Sequence, residues 1–141
     1  MLKKIPKILS PQLVKTLMEM GHGDEIVIAD ANFPCSSISN NVVRADGLSG
    51  SEVLKAVLEL LPLDSYVDEQ VLLMEVVPGD NYIPEIWDEY KSILNNSGEL
   101  YTVGYLERFA FYERAKRSYA VIATGEEALY ANIILKKGVV K

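Results

Sequence analysis

The sequence contains one histidine, His22, which stands between two glycines in the segment Gly21-His22-Gly23. An imidazole has an ordinary pKa of about 6.5, so it can both donate and accept a proton near neutral pH. The flanking glycines would let the backbone approach a ligand closely, although a surface-loop histidine without a chemical role would look the same. A single histidine cannot build a His-rich metal site, so proton transfer is the chemistry to expect if His22 is functional.

Three further pairs of polar side chains have spacings suited to shared hydrogen bonding: Asp30 with Asn32, Arg108 with Tyr112, and Tyr130 with Asn132. The first pair ends an apolar stretch and could face a polyhydroxylated ligand, but an Asx turn explains it almost as well. The second pair is four residues apart and shares one face of a helix, where an arginine often simply packs on a tyrosine. The third pair lies in a predicted strand and could be a surface pair. None of the three is specific alone.

Composition and the remaining residues exclude several classes of protein. The 14 Lys and Arg residues against 20 Asp and Glu residues give a net charge of −6. A negative net charge is the wrong sign for binding the phosphate backbone of nucleic acid. No apolar stretch approaches the ~20 residues of a membrane helix, and no phosphate-binding or Gly-x-Ser-x-Gly motif is present. The lone Cys35 cannot form an internal disulfide, which fits a reducing cytoplasm. Trp87 lies on an apolar helical stripe, so it belongs either to the core or to a sugar platform.

The elements that must position these residues alternate between helix and strand along residues 1–141, which we interpret as a single domain. Hydrophobic periodicity and capping residues predict helices over 11–20, 51–61, 84–95 and 105–117. Short apolar stretches predict strands over 26–29, 39–45, 71–77 and 119–123, and within 130–135. This alternation favours an α/β fold, a layered sandwich with a mixed or largely parallel central sheet covered by helices. Ligands of such folds gather at strand carboxyl ends.

Several longer motifs resemble a known family. The chain carries GHGDEI at 21–26, ADANFP at 29–34, ERFAFYERA at 107–115, TGE at 124–126 and YAN at 130–132. Together with Ile8-Leu9-Ser10-Pro11 they span nearly the whole chain and resemble the family of L-fucose mutarotases and D-ribose pyranases. The resemblance implies an α/β sandwich assembled into rings, commonly decamers of two stacked pentamers, with no cofactor and no metal.

The resemblance also assigns roles to individual residues. His22 matches the family's proton-donating histidine, and Asp30 matches its sugar-binding aspartate. The C-terminal binding segment corresponds to Tyr130, Ala131 and Asn132. Arg108 falls where the ribose branch usually carries a histidine, which favours the fucose branch, and we expect Arg108 and Tyr112 to bind the substrate as well.

The implied activity is exchange of the α and β anomers of L-fucose through acid/base-assisted ring opening and closure. In this scheme His22 protonates the ring oxygen and Asp30 positions a hydroxyl or assists the base. Two alternatives stay open: a non-catalytic sugar-binding ring protein that assists uptake, and a D-ribose pyranase. The expected partners are thus a monosaccharide and further copies of the chain, without nucleic acid or membrane.

Reach along the chain predicts a site shared between subunits. An extended chain could separate His22 from Asp30 by up to ~26 Å, whereas a monosaccharide is far smaller. Either the glycine turn folds His22 back toward Asp30, or different subunits supply the two groups. We expect Arg108 and Tyr112 of one subunit to close a pocket formed by His22, Asp30, Tyr130 and Asn132 of another.

Overall fold

Residues 1–141 are all described by a computed structural model, in which six strands form one sheet flanked by five helices. The strands are β1 (Glu25–Ala29), β2 (Val42–Ala45), β3 (Val71–Met74), β4 (Val103–Leu106), β5 (Ala120–Thr124) and β6 (Ile133–Lys136). The helices are α1 (Pro11–Glu19), α2 (Cys35–Ile38), α3 (Gly50–Leu58), α4 (Glu85–Asn96) and α5 (Arg108–Lys116). The strand order is β2-β5-β1-β6-β3-β4.

The strand directions give the sheet two chemically distinct edges. β6 is antiparallel to both of its neighbours, β1 and β3, while the pairs β1–β5, β2–β5 and β3–β4 are parallel. Five strands therefore point the same way. We call the edge where they end, and where β6 begins, the carboxyl edge, and the opposite edge the amino edge. The prediction of a mixed sheet in an α/β fold is confirmed.

Alternation along the strands builds a core on each face of the sheet, because successive side chains point to opposite faces. Ile26 and Ile28 of β1 join a cluster of 24 buried residues under α1, α3 and α4. Val27 and Ala29 of the same strand join a smaller cluster of 11 buried residues under α2 and α5. Both faces are thus covered, as the apolar character of β1 requires.

Local sequence sets where the helices begin. Ser10 accepts a hydrogen bond from the N–H of Leu13 and Pro11 fills the first helical position, so α1 begins as predicted. Ser49 and Glu52 form a reciprocal capping box, which starts α3 at Gly50, one residue earlier than predicted. At α5 the carboxylate of Glu107 accepts from the backbone N–H groups of Phe109 and Ala110, and this cap fixes the helix start at Arg108.

The structure corrects the predictions in two regions. The predicted helix over 105–117 begins only at Arg108, because Tyr105 and Leu106 belong to β4 and pair with Leu73 and Met74 of β3. Such pairing with a distant strand leaves little local trace in a stretch of four residues. The short helix α2 was also not predicted, and it takes up the chain ahead of β2, which therefore begins at Val42 rather than Ser39.

Two strands differ from the predictions at their ends. β3 ends at Met74 instead of continuing to Val77, whereas β6 begins at Ile133, within the predicted stretch 130–135, and runs one residue beyond it to Lys136. Ahead of β6, Tyr130 adopts a left-handed backbone conformation with φ of 59°. The chain at both places turns away from the sheet at the carboxyl edge. None of the helices has the length and apolar character needed to cross a membrane.

Candidate active site

A cavity of about 350 Å³ opens at the carboxyl edge of the sheet, within the usual size of small-molecule sites. Six predicted residues line it: Asp30, Asn32, Arg108, Tyr112, Tyr130 and Asn132. Five lining residues were not predicted: Phe33, Met74, Val77, Asp80 and Leu129. A larger groove of about 660 Å³ lies between the N-terminal segment and α1, but its lining is mainly apolar and its only charged side chains are lysines. The cavity at the carboxyl edge is where the predicted polar residues converge.

Asp30 and Asn132 form a reciprocal buried pair at the floor of the cavity. The Asp30 N–H donates to Oδ1 of Asn132 at 2.7 Å, and Nδ2 of Asn132 donates to Oδ2 of Asp30 at 3.1 Å. Oδ1 of Asp30 also accepts from the N–H of Asn32 at 3.0 Å, so the Asx turn is present and the carboxylate still lines the cavity. Burial raises the pKa of Asp30, while its hydrogen bonds favour the ionised form.

Arg108 supplies the cation of the cavity. Its Nε donates to the Tyr112 hydroxyl at 3.1 Å, and its guanidinium carbon lies 5.3 Å from the centre of the Phe109 ring and 5.4 Å from that of Tyr112. It forms no ion pair within the chain. The helical spacing of Arg108 and Tyr112 thus leaves guanidinium N–H donors free for the oxygens of a ligand.

Helix α4 holds the segment that carries Tyr130. The indole Nε1 of Trp87 donates to the carbonyl of Tyr130 at 2.8 Å, and the fully buried Tyr90 hydroxyl donates to the carbonyl of Ala131 at 2.8 Å. These two bonds hold the left-handed turn at Tyr130 and deliver Asn132 to Asp30. Ala131 is itself buried and does not line the cavity, and Trp87 does not line it either.

Asp80 is the polar lining residue that sequence reasoning missed. It follows the turn Val77-Pro78-Gly79, and its Oδ2 accepts from the Tyr130 hydroxyl at 2.7 Å. Pro and Gly at the two central turn positions, with φ of 89° at Gly79, are typical of a type II turn, and the Asp80 N–H donates to the Val77 carbonyl at 3.1 Å. This turn signal directly after a predicted strand could have drawn attention to Asp80.

His22 lies outside this cavity, at the amino edge. Its Nε2 is 2.9 Å from Oδ1 of Asp64, a buried residue whose Oδ1 also accepts from the N–H of Tyr66 at 3.1 Å. Although burial opposes its ionisation, the hydrogen bonds from His22 and Tyr66 lower the pKa of Asp64. An ionised carboxylate can only accept, so the proton of neutral His22 is on Nε2 and Nδ1 carries the free lone pair.

The structure corrects the expected division of the site between subunits. Arg108 and Tyr112 line the same cavity as Asp30 within one chain, and His22 is the group that stands apart. The reason is β1, whose five residues lie between His22 and Asp30 and extend about 16 Å at ~3.3 Å per residue. The glycine turn does not fold His22 back toward Asp30. No group of three or more His, Cys, Asp and Glu side chains that could hold a metal ion is present.

Comparisons with known proteins agree with this architecture over the full length. The model of the RbsD / FucU transport protein family matches residues 3–140. A fucose mutarotase from Bos taurus is 54% identical over an alignment of 144 positions, which covers 98% of this chain and 94% of that protein. The crystal structure of the fucose mutarotase from Streptococcus pneumoniae in complex with L-fucose matches with a TM-score of 0.95 and 57% identity, over 99% of this chain and 100% of that one.

A more distant neighbour is RbsD of Bacillus subtilis, solved in complex with D-ribose. It matches with a TM-score of 0.70 and 29% identity over 94% of this chain and 95% of that one. The similarity to the fucose mutarotases is therefore closer in both sequence and structure. The chain belongs to the RbsD / FucU transport protein family.

Proposed function

We propose that this protein exchanges the α and β anomers of L-fucose by opening and reclosing the sugar ring. It is an isomerase of the mutarotase class, since full-length relatives at 54% and 57% identity are fucose mutarotases. The observation that carries the proposal for this chain is the cavity at the carboxyl edge. There two carboxylates, a guanidinium without an ion-pair partner and two phenol hydroxyls converge on a space of monosaccharide size.

The proposed chemistry needs two proton transfers. The anomeric hydroxyl must lose a proton while the ring oxygen gains one, and the reverse transfers close the ring on the other face. Asp30 and Arg108 hold sugar hydroxyls within the cavity. The free lone pair on Nδ1 of His22 accepts the proton of the anomeric hydroxyl, and the imidazolium so formed donates that proton to the ring oxygen, while the Nε2–H stays bonded to Asp64.

The separation of His22 from the cavity supports an oligomeric site. One chain supplies the groups at its carboxyl edge, and His22 with Asp64 comes from the amino edge of a neighbouring chain. We propose a homo-oligomer, a decamer of two pentameric rings, in which each interface completes one site. This arrangement replaces the earlier expectation that Arg108 and Tyr112 come from the neighbour. A cytoplasmic location fits the single buried thiol of Cys35.

A second candidate is sugar binding without catalysis, which is favoured by the description of the family as transport proteins. The same cavity would serve both functions. Exchange spectroscopy between the anomers of L-fucose, with and without the protein, separates them. A mutarotase raises the exchange rate in proportion to protein concentration, whereas a binding protein leaves it at the rate in water. Repeating the measurement with D-ribose tests the pyranase alternative.

A further inference from the structure

The Tyr130 hydroxyl is anchored to the loop between β3 and α4, residues 75–84, which we call the pocket loop. It donates to Oδ2 of Asp80 at 2.7 Å, and its oxygen accepts from the backbone N–H of Val77 at 3.4 Å. The ring of Tyr82 stacks on that of Tyr130 with centroids 6.0 Å apart and an interplanar angle of 27°. The phenol is therefore fixed on the pocket-loop side before any ligand enters the cavity.

Asp80 is itself held in one orientation. Its second oxygen, Oδ1, accepts from the N–H of Tyr82 at 2.9 Å, so each carboxylate oxygen has a separate partner. The hydrogen bond between Asp80 and Tyr130 raises the pKa of Tyr130 and lowers the pKa of Asp80. Asp80 is thus ionised and Tyr130 protonated at neutral pH.

The direction of this hydrogen bond determines what Tyr130 can bind. A phenol has a single proton, and an ionised carboxylate can only accept a hydrogen bond. The Tyr130 hydroxyl therefore uses its one proton in the hydrogen bond to Asp80. One lone pair of the Tyr130 oxygen accepts from the Val77 N–H, so the second lone pair is what this phenol has left to offer a ligand in the cavity it lines. We propose that Asp80 is a positioning residue that makes Tyr130 a hydrogen-bond acceptor toward the sugar, so that a sugar hydroxyl and never the ring oxygen lies against it. The inference rests on the proposed function, because it assigns an orientation to the bound sugar.

The chemical consequence is an oriented substrate. A ring oxygen has no proton to donate, so it gains nothing from an acceptor phenol, whereas a sugar hydroxyl does. A sugar that places a hydroxyl against Tyr130 leaves its ring oxygen free for an imidazole that enters the cavity from outside. Asp80 would then act on the reaction without touching the reacting atoms.

The test is Asp80→Asn, which reverses the direction of the hydrogen bond between Tyr130 and residue 80 with little change in side-chain shape. The bond from the Tyr82 N–H holds the amide oxygen, so the amide NH₂ faces Tyr130 and donates to its oxygen. The Tyr130 proton must then point into the cavity. We expect weakening of L-fucose binding and of kcat/KM by about tenfold or more, because the neutral amide no longer supplies the charge that strengthens hydrogen bonding at Tyr130, and a phenol that donates binds the ring oxygen as readily as a sugar hydroxyl.

Two comparisons separate this role from a structural one. In a Tyr130→Phe background, Asp80→Asn should have no further effect on binding or on kcat/KM, because Asp80 acts only through the phenol. Asp88→Asn, the same change on the exposed part of α4, serves as the matched control. Thermal unfolding and sizing verify that each variant stays folded and assembled.

Wild-type affinity and kcat/KM in Asp80→Asn, or an equal loss with and without the Tyr130 hydroxyl, would overturn the inference. Calorimetric titration measures the affinity of each variant for L-fucose independently of catalysis. Failure of the proposed function is recognised separately, as a wild-type protein that binds L-fucose but does not speed anomer exchange.

Discussion

The two edges of the sheet carry opposite kinds of chemistry. The carboxyl edge is a cavity with many converging hydrogen-bonding groups, among them Asp30 and Arg108, but it contains no imidazole. The amino edge displays the only imidazole, His22, half-exposed and braced by a buried carboxylate. In the proposed function the carboxyl edge holds the sugar and the amino edge moves a proton, and the proposed neighbouring chain brings the two edges together.

The largest expected effect separates proton transfer from binding. His22→Gln should lower the rate of anomer exchange by ~10²-fold or more, the usual contribution of positioned acid/base catalysis. Affinity for L-fucose should change little, because the cavity at the carboxyl edge stays intact. Exchange spectroscopy and calorimetry on the same samples check both parts. A variant with wild-type exchange rates would remove His22 from the reaction, and loss of folding would assign it a structural role instead.

Subunit mixing tests whether the two edges meet across an interface. His22→Ala and Arg108→Ala proteins should each be nearly inactive. Mixed 1:1 under conditions that exchange subunits, they should recover activity in about a quarter of the sites, since each site draws one edge from each of two chains. Recovery is measured against the unmixed variants, with mixed assemblies verified by mass spectrometry. A fully active monomer, or no recovery in verified mixed assemblies, would mean that the edges do not share a site.

A smaller effect is expected for Arg108→His at the carboxyl edge. The substitution replaces a rigid cationic fork with a smaller, partly neutral ring, so it should alter the choice of sugar more than stability. One hydrogen bond contributes about 0.5–1.5 kcal/mol, so the ratio of L-fucose to D-ribose exchange rates should change by about two- to tenfold. Both rates are measured on wild type and variant. An unchanged ratio would place the guanidinium away from the bound sugar.

The smallest effect concerns the hydrogen bond between His22 and Asp64 at the amino edge, and it depends on pH. The pKa of Asp64 is lower in the folded protein, so its ionised form stabilises the fold above the ordinary value of about 3.9, and this contribution is lost as the pH falls through the folded pKa. Asp64→Asn should therefore lower the Tm at pH 7 but not in strong acid. Thermal unfolding of both proteins across this range checks the sign. A Tm difference that persists unchanged in acid would show that the charge of Asp64 is not the cause.

Much of the fold was predictable because its signals are local. Ser10 followed by Pro11 predicts the start of α1, and the β-branched stretch Ile26-Val27-Ile28 is typical of a buried strand. The helical spacing of Arg108 and Tyr112 correctly placed both side chains on one face. The strand β4 and the partner of His22 were missed for the opposite reason. Tyr105 is paired by a strand about thirty residues earlier, and Asp64 lies 42 residues from His22.

The sequence by itself determined most of the candidate site residues, though not Asp64 or Asp80, and the α/β architecture that holds them, because residue type and hydrophobic periodicity are properties of short segments. Only the tertiary structure decided which of those residues meet. The antiparallel insertion of β6 between β1 and β3 brings Asn132 to Asp30 across 102 residues of chain. The rigid length of β1 keeps His22 away from the same site. Strand order and direction are set by long-range packing, and no local pattern encodes them.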